Sequence, residues 1–179
     1  VRHQHQPRDQ VGIALTAGAM VGRSRYSYAR IPIGTAIEEL QRLAEREYEE
    51  VGQKDLARLN IDWTRYSELD AAGKLATFVA KREGVIVGYA VFIVQTHIHY
   101  QDALVAANSA IYAAPEVRAG RVVLNLLRFA EMGLQAQGVQ KIFYHVKRSK
   151  DFGRLLDHLG YEDVERLYAK VVRHVEARK

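Results

Sequence analysis

Three stretches of this 179-residue chain hold groups that can do chemistry. The first is HIHYQD at positions 97–102, a polar, titratable loop between two strongly apolar runs. His97 and His99 alternate and can point the same way, and a histidine near its ordinary pKa serves as a base at neutral pH. Tyr100 beside them is a candidate proton donor. With no third ligand nearby, His-x-His is a weak metal motif, so catalysis competes here with a hydrogen-bonded structural pair. The second stretch is acidic: Glu45, Glu47, Glu49 and Glu50 crowd the end of a helical pattern. They form either a solvated face or a set of which one carboxylate points into a substrate cleft as a base. The third is the basic loop EVRAGR at 116–121, with Arg118, Gly120 and Arg121, immediately before a helical pattern. Free backbone N–H groups and the positive end of the helix dipole converge at such a point, which suits an anion.

The elements that must position these groups follow from periodicity. An apolar run at 104–113 reads as a strand, and Pro115 closes it. Val122, Val123, Leu126, Leu127, Phe129, Ala130 and Leu134 recur at helical spacing up to Gly138. Ile142, Tyr144 and Val146 alternate with Phe143 and His145 as the next strand, which makes the unit βαβ with parallel strands. Upstream, 26–33 is strand-like with Pro32 near its end, and Thr35 with Glu38 forms a capping box for a helix reaching Val51. Trp63, Tyr66 and Leu69 mark a short helix. The strands 75–81 and 85–95 flank the turn Arg82-Glu83-Gly84, and Gly88 signals a bulge or a close backbone approach. Downstream, a last helix capped by Ser149 and stopped by Gly160 leads into a final strand pair ending near Val172.

Length and composition set the frame. One domain over 26–179 with a polar arm at 1–25 fits the length and the 48% hydrophobic content. The arm is expected to be flexible or ordered by a partner; His3 and His5 on it read as incidental, and 11–22 is either extended or a short helix. Without cysteine, disulfides, thiolate metal sites and cysteine nucleophiles are excluded. No window suggests a membrane span or a signal peptide, so a soluble, cytoplasmic protein is expected. Residues 118–179 carry 13 Lys and Arg against 7 Asp and Glu, while 1–117 are nearly balanced at 13 against 14. A basic half suits an anionic ligand such as a nucleotide cofactor, and no nucleic-acid motif favours that partner instead.

The element order, the segment Ala114-Pro115-Glu116-Val117-Arg118-Ala119-Gly120-Arg121-Val122-Val123 and the turn LLDHLGY at 155–161 together resemble the GNAT family of acyl-CoA-dependent N-acetyltransferases. The likeness spans about 35–172, and the segments 88–100, 59–69 and 157–170 resemble a branch encoded by bacteriophages. It implies an α/β (α+β) fold with a mixed central sheet, antiparallel in its N-terminal part and closed by a parallel βαβ cofactor unit, flanked by helices. It implies acetyl-CoA as cosubstrate, with the pyrophosphate at Arg118, Ala119, Gly120, Arg121, Val122 and Val123, and pantetheine along Ile111, Tyr112 and Ala113. No metal is required. An amine would attack the thioester directly, aided by a base, a backbone oxyanion site and an acid.

Three positions depart from the family pattern. Arg121 and Val123 stand where the family has glycines, and Leu156 stands where many members place a tyrosine acid. The leading expectation is acetyl transfer to an unidentified amine on a small molecule or a protein. The alternative is a non-catalytic GNAT-fold module, serving as a binding or structural component of a phage virion or host-interaction complex, or acting as a homo-oligomer. Host cytoplasm or virion would be its location. Nucleic-acid binding through the basic C-terminal third is a weaker third option.

Overall fold

The computed structural model describes residues 25–172. The arm at 1–24, with His3 and His5, and the end of the chain at 173–179 lie outside the described residues. The strands are β1 (Tyr26–Ile31), β2 (Leu75–Arg82), β3 (Val85–His97), β4 (Tyr100–Ala113) and β5 (Lys141–Phe143). The helices are α1 (Ile37–Val51), α2 (Trp63–Ala71), α3 (Val122–Ala136) and α4 (Gly153–His158). The sheet runs β1-β2-β3-β4-β5. Every neighbouring pair is antiparallel except β4 and β5, which are parallel and joined through α3. This is the mixed sheet that the sequence led us to expect.

Alternation along β2 and β3 sorts side chains to two faces. Phe78 and Phe92 meet edge to face at 6.1 Å, and Phe78 meets Phe129 of α3 at 6.1 Å, so these rings build the α3 side. Gly133 of α3 sits so close that a Cβ there would fall 2.5 Å from the Phe78 ring. Only a residue without a side chain lets this helix lie so near the sheet. Tyr89 and Val91, the intervening residues of β3, face α1, whose buried stripe is Leu40, Leu43 and Ala44. α2 is anchored beside it: Asp70 accepts the Ile33 N–H at 2.7 Å, and the Trp63 indole donates to Gln41 at 2.8 Å.

The turn between β2 and β3 carries positive φ at both Glu83 (53°) and Gly84 (86°), the conformation that matches strand twist in a two-residue hairpin. Gly88 meets both expectations for it. Ala80 pairs with Gly88 and Lys81 with Ile86, so Val87 is a bulge, and a Cβ at Gly88 would stand 3.0 Å from the Tyr112 carbonyl.

Four local expectations are corrected. The N-cap of α1 is Ala36, and the Thr35 hydroxyl instead donates to the Pro32 carbonyl at 2.7 Å, because a 3-10 turn at Ile33–Thr35 intervenes. The last helix starts at Gly153 rather than after Ser149, with Asp151 accepting the Gly153 N–H at 2.7 Å. β5 stops at Phe143 instead of continuing to Val146, since β4 has already diverged from it. The final strand pair is absent: 161–172 has no regular structure, and Val164, Leu167, Tyr168 and Val172 are exposed. Apolar residues at 164, 167, 168, 171 and 172 do not alternate, so no single strand face gathers them.

Candidate functional site

The C-terminal half of α1, the connection to α2, α2 itself and the inner face of β3 and β4 enclose a cavity of about 330 Å³. Its outer wall is the irregular segment 52–62. Gly52 lies against Tyr48, where a Cβ would fall 2.2 Å from the ring, and the Tyr48 hydroxyl donates to the Ala57 carbonyl at 2.9 Å. Those two contacts hold the segment against α1.

Glu47 projects into the cavity because it continues the apolar stripe of α1, three and four residues beyond Ala44 and Leu43. The Tyr89 hydroxyl, on a side chain only 3% exposed, donates to Glu47 Oε2 at 2.5 Å. Burial pushes the Glu47 carboxyl above the usual carboxylate range, outweighing the opposing pulls of the Tyr89 hydrogen bond and the Lys147 charge. Burial, then the neighbouring Glu47 charge, raises the Tyr89 phenol, so it remains a donor. A carboxyl whose proton affinity burial raises, placed inside a cavity, is equipped for general-base work.

Beside Glu47 the sheet is irregular. Val91 pairs with Ala110 but Phe92 pairs with Asn108, so Ser109 is the extra residue of a bulge that kinks β4. Its hydroxyl shares a 2.5 Å hydrogen bond with Tyr66 of α2, and both residues line the cavity. Beyond the bulge β4 parts from β5. The ladder covers only Val105 to Ala107 against Lys141 to Phe143. At the next position the Asn108 amide takes over: Oδ1 accepts the His145 N–H at 2.5 Å, and Nδ2 lies 3.5 Å from the His145 carbonyl. Past it no main-chain rung joins the two strands among the described residues, which marks a cleft there.

That cleft leads to the start of α3. No side chain caps this helix, and its first carbonyl partner is Arg121, which accepts from Asn125. The N–H groups of Val122, Val123 and Leu124 therefore have no partner within the helix. Val122 is buried and Val123 packs partly against the core, so their side chains turn inward. A Cβ at Gly120 would meet nothing within 4 Å, so the approach to the loop is clear. Arg121 and these free N–H groups together present positive charge and donors that suit an anionic ligand.

A second cluster braces the loop. Arg118 makes a two-pronged ion pair with Glu50, both contacts at 2.9 Å, and also donates to the Ala113 carbonyl at 2.7 Å. Tyr112 donates to Glu50 at 3.0 Å, and the Arg118 guanidinium lies 5.1 Å from its ring centre. Arg118 holds the Glu50 carboxyl below its usual range. Arg46 does the same for Glu116 across a 2.9 Å pair.

The structure thus brings Glu50, Tyr112 and Arg118 together at the base of the basic loop before α3, with Ile111 and Ala113 on the adjoining end of β4 and Ala119, Gly120 and Arg121 exposed on the loop. His97, His99 and Tyr100 lie elsewhere, at the tip of the β3–β4 hairpin. The His97 and Tyr100 rings are 4.8 Å apart, the His99 N–H donates to His97 Nδ1 at 3.2 Å, and Tyr100 is 66% exposed. None of the three lines the cavity. At about 3.3 Å per residue, the nine steps from Tyr100 to Ser109 separate tip and cavity by roughly 30 Å. Leu156 is buried in the core. Glu47, Tyr89, Ser109 and Asn108 escaped the sequence reading as site residues. Glu47 sits at position i+7 from Leu40, but Glu50 has the same spacing from Leu43, so the stripe alone does not separate the two.

Comparison with known proteins bears on this geometry. Residues 37–159 match the acetyltransferase (GNAT) family. Among solved structures, an aminoglycoside acetyltransferase from an uncultured soil metagenomic sample, in complex with sisomicin, superposes with a TM-score of 0.63 at 16% identity, covering 82% of this chain and 97% of that one. A ribosomal-protein-alanine N-acetyltransferase from Brucella melitensis gives 0.60 at 15% identity, over 83% and 99%. A predicted acetyltransferase from Clostridium acetobutylicum, determined with acetyl-CoA, gives 0.62 at 14% identity, over 82% and 96%. No curated protein sequence matches. At these identities the structures share the fold with this chain.

Proposed function

The chain belongs to the acetyltransferase (GNAT) family, and from that premise we propose that it transfers an acetyl group from acetyl-CoA to a primary amine held in the cavity at Glu47. The observation that carries this reading is the junction of two spaces. The cavity that holds Glu47 reaches Ser109 and Ala110 at the kink of β4, where the cleft between β4 and β5 begins.

When bound, acetyl-CoA supplies the thioester carbonyl that the amine attacks. The residues of this chain do the rest. Glu47 takes the proton from the incoming ammonium, and Tyr89 fixes the carboxylate's orientation through its 2.5 Å bond. The bulge at Ser109 takes backbone out of the ladder beside the cavity, where an N–H can meet a developing oxyanion. Arg121 and the first N–H groups of α3 hold phosphate, while Glu50 and Arg118 brace the loop that carries them. The Tyr66 and Ser109 hydroxyls, linked at 2.5 Å, stand at the kink as the nearest donors for the departing thiolate. Arg121 and Val123 in place of glycines alter the loop's side chains but leave its backbone donors, and this together with the carboxyl of Glu47 in the cavity supports the enzyme over a non-catalytic phage module.

Acetyl-CoA should raise the melting temperature of the wild-type protein in a concentration-dependent way, and Arg121→Glu should remove most of the shift. Release of CoA on addition of an amine, followed with a thiol reagent, completes the test. No saturable binding at millimolar acetyl-CoA would overturn the reading.

A further inference from the structure

The charges lining the cavity bear on which amine enters it. Glu47 is its one acidic lining residue; Arg58, on the outer wall, and Lys147, following β5, are basic. Arg58 makes no hydrogen bond or ion pair among the described residues, and Lys147 spends one donor on the Val51 carbonyl at 2.6 Å and acts on the Glu47 carboxyl through its charge without forming an ion pair with it. The remaining surface is largely apolar and aromatic, with Trp63, Tyr66 and Tyr89 prominent. At about 330 Å³ the space lies at the small end of ligand sites, which run from about 300 to 1,000 Å³.

We propose that the acceptor is a small zwitterion: one primary ammonium for Glu47, an apolar or aromatic body for the tyrosine and tryptophan walls, and a carboxylate for Arg58 and Lys147. The inference rests on the acetyltransferase reading above and narrows it to amino-acid-like amines. A polycation such as an aminoglycoside or a polyamine would bring its second ammonium toward two unpaired cations with a single carboxylate to receive it. Arg58 and Lys147 are exposed, so the repulsion is partly screened by water and sets a preference among amines. A neutral arylalkylamine would leave Arg58 and Lys147 without a counter-ion. An amino acid satisfies all three charges at once. Its ammonium must lose a proton before its nitrogen attacks, and Glu47 is the group placed to receive it.

The test pairs binding with turnover, using L-phenylalanine, L-phenylalaninamide, 2-phenylethylamine and sisomicin as probes and the full chain saturated with CoA or acetyl-CoA. In calorimetric titrations L-phenylalanine should bind about tenfold or more tightly than its amide, the worth of one charge-assisted hydrogen bond. Arg58→Ala should close most of that gap, and Arg58→Glu should invert it in favour of cationic probes. In the CoA-release assay the same order should appear in kcat/KM, with Arg58→Ala acting mainly through KM. Equal or weaker binding of the carboxylate probe, or tighter binding of sisomicin, overturns the proposal. Selective binding of L-phenylalanine without CoA release upholds it and counts against the transfer reaction instead.

Discussion

Replacing Glu47 by glutamine separates catalysis from stability at a single atom. The amide keeps the shape of the side chain and still accepts the Tyr89 hydrogen bond, but it cannot take a proton. Loss of a positioned general base costs about 10²- to 10⁴-fold in rate, which corresponds to roughly 3–5 kcal/mol of barrier. The effect on stability should have the opposite sign. Burial raises the Glu47 carboxyl in the folded protein, so between its unfolded and folded pKa values the native state holds a proton that the unfolded chain has released. Stability therefore falls as pH rises through that interval and stays reduced above it. Below the unfolded value the carboxyl is neutral in both states and the penalty vanishes. Glu47→Gln should thus melt higher than wild type at about pH 8 and together with it near about pH 3.5, while kcat at saturating acetyl-CoA collapses. Scanning calorimetry at both pH values and CoA release against pH are the measurements. In wild type, kcat should climb with pH through the raised Glu47 value, and the variant's residual rate should lose that limb. A variant with wild-type kcat, or one less stable at the higher pH, would refute the assignment of Glu47 as a buried base.

Three further outcomes follow from the packing. Gly133→Ala sets a helix-propensity gain of about 1 kcal/mol against overpacking of about 1–3 kcal/mol on Phe78, whose ring a Cβ would approach to 2.5 Å. A net loss of up to about 2 kcal/mol should lower Tm by up to roughly 8 °C, and a higher Tm would show that the helix can lift off. Glu50→Gln breaks the Arg118 pair, whose side chains are 35% and 24% exposed, so after solvent screening it should cost about 1 kcal/mol or less. Since Arg118 lowers the Glu50 carboxyl, that contribution is present above the unfolded pKa and lost as pH falls through the folded one; acetyl-CoA affinity should weaken alongside it, as isothermal titration would report. Asn108→Leu removes both partners of the His145 backbone groups and should cost about 1–3 kcal/mol, with faster hydrogen exchange at the His145 amide as its local signature.

Much of this fold could be read from periodicity because the strongest patterns coincide with the most buried elements. The apolar spacing from Val122 to Leu134 becomes α3, and Gly138 ends it with φ at 90°. The nearly continuous run at 85–95 becomes the central strand β3. What failed depended on relations between distant residues. The last strands were expected from apolar content alone, but 161–172 neither alternates nor finds a ladder, since β5 is only three residues long. The polar hairpin tip at His97 drew attention because titratable groups are conspicuous in sequence, whereas only the pairing of Thr96 with Leu104 and His97 with Tyr100 shows how far along the strands it lies. Glu50 and Arg118, picked for separate duties, turn out to be partners across 68 residues of chain. Glu47 was hidden among its acidic neighbours; only Tyr89, 42 residues away and buried beneath it, distinguishes that carboxylate from the solvated ones.

Asn108 gives the cleft an adjustable jaw. A sheet normally fixes the gap between two strands through main-chain rungs that no substitution can alter, yet here the last rung before the gap is a side-chain amide gripping the backbone of His145. The width of the gap is therefore encoded at one codon. A shorter or bulkier residue at that point can widen or narrow the mouth while the strands behind it stay paired.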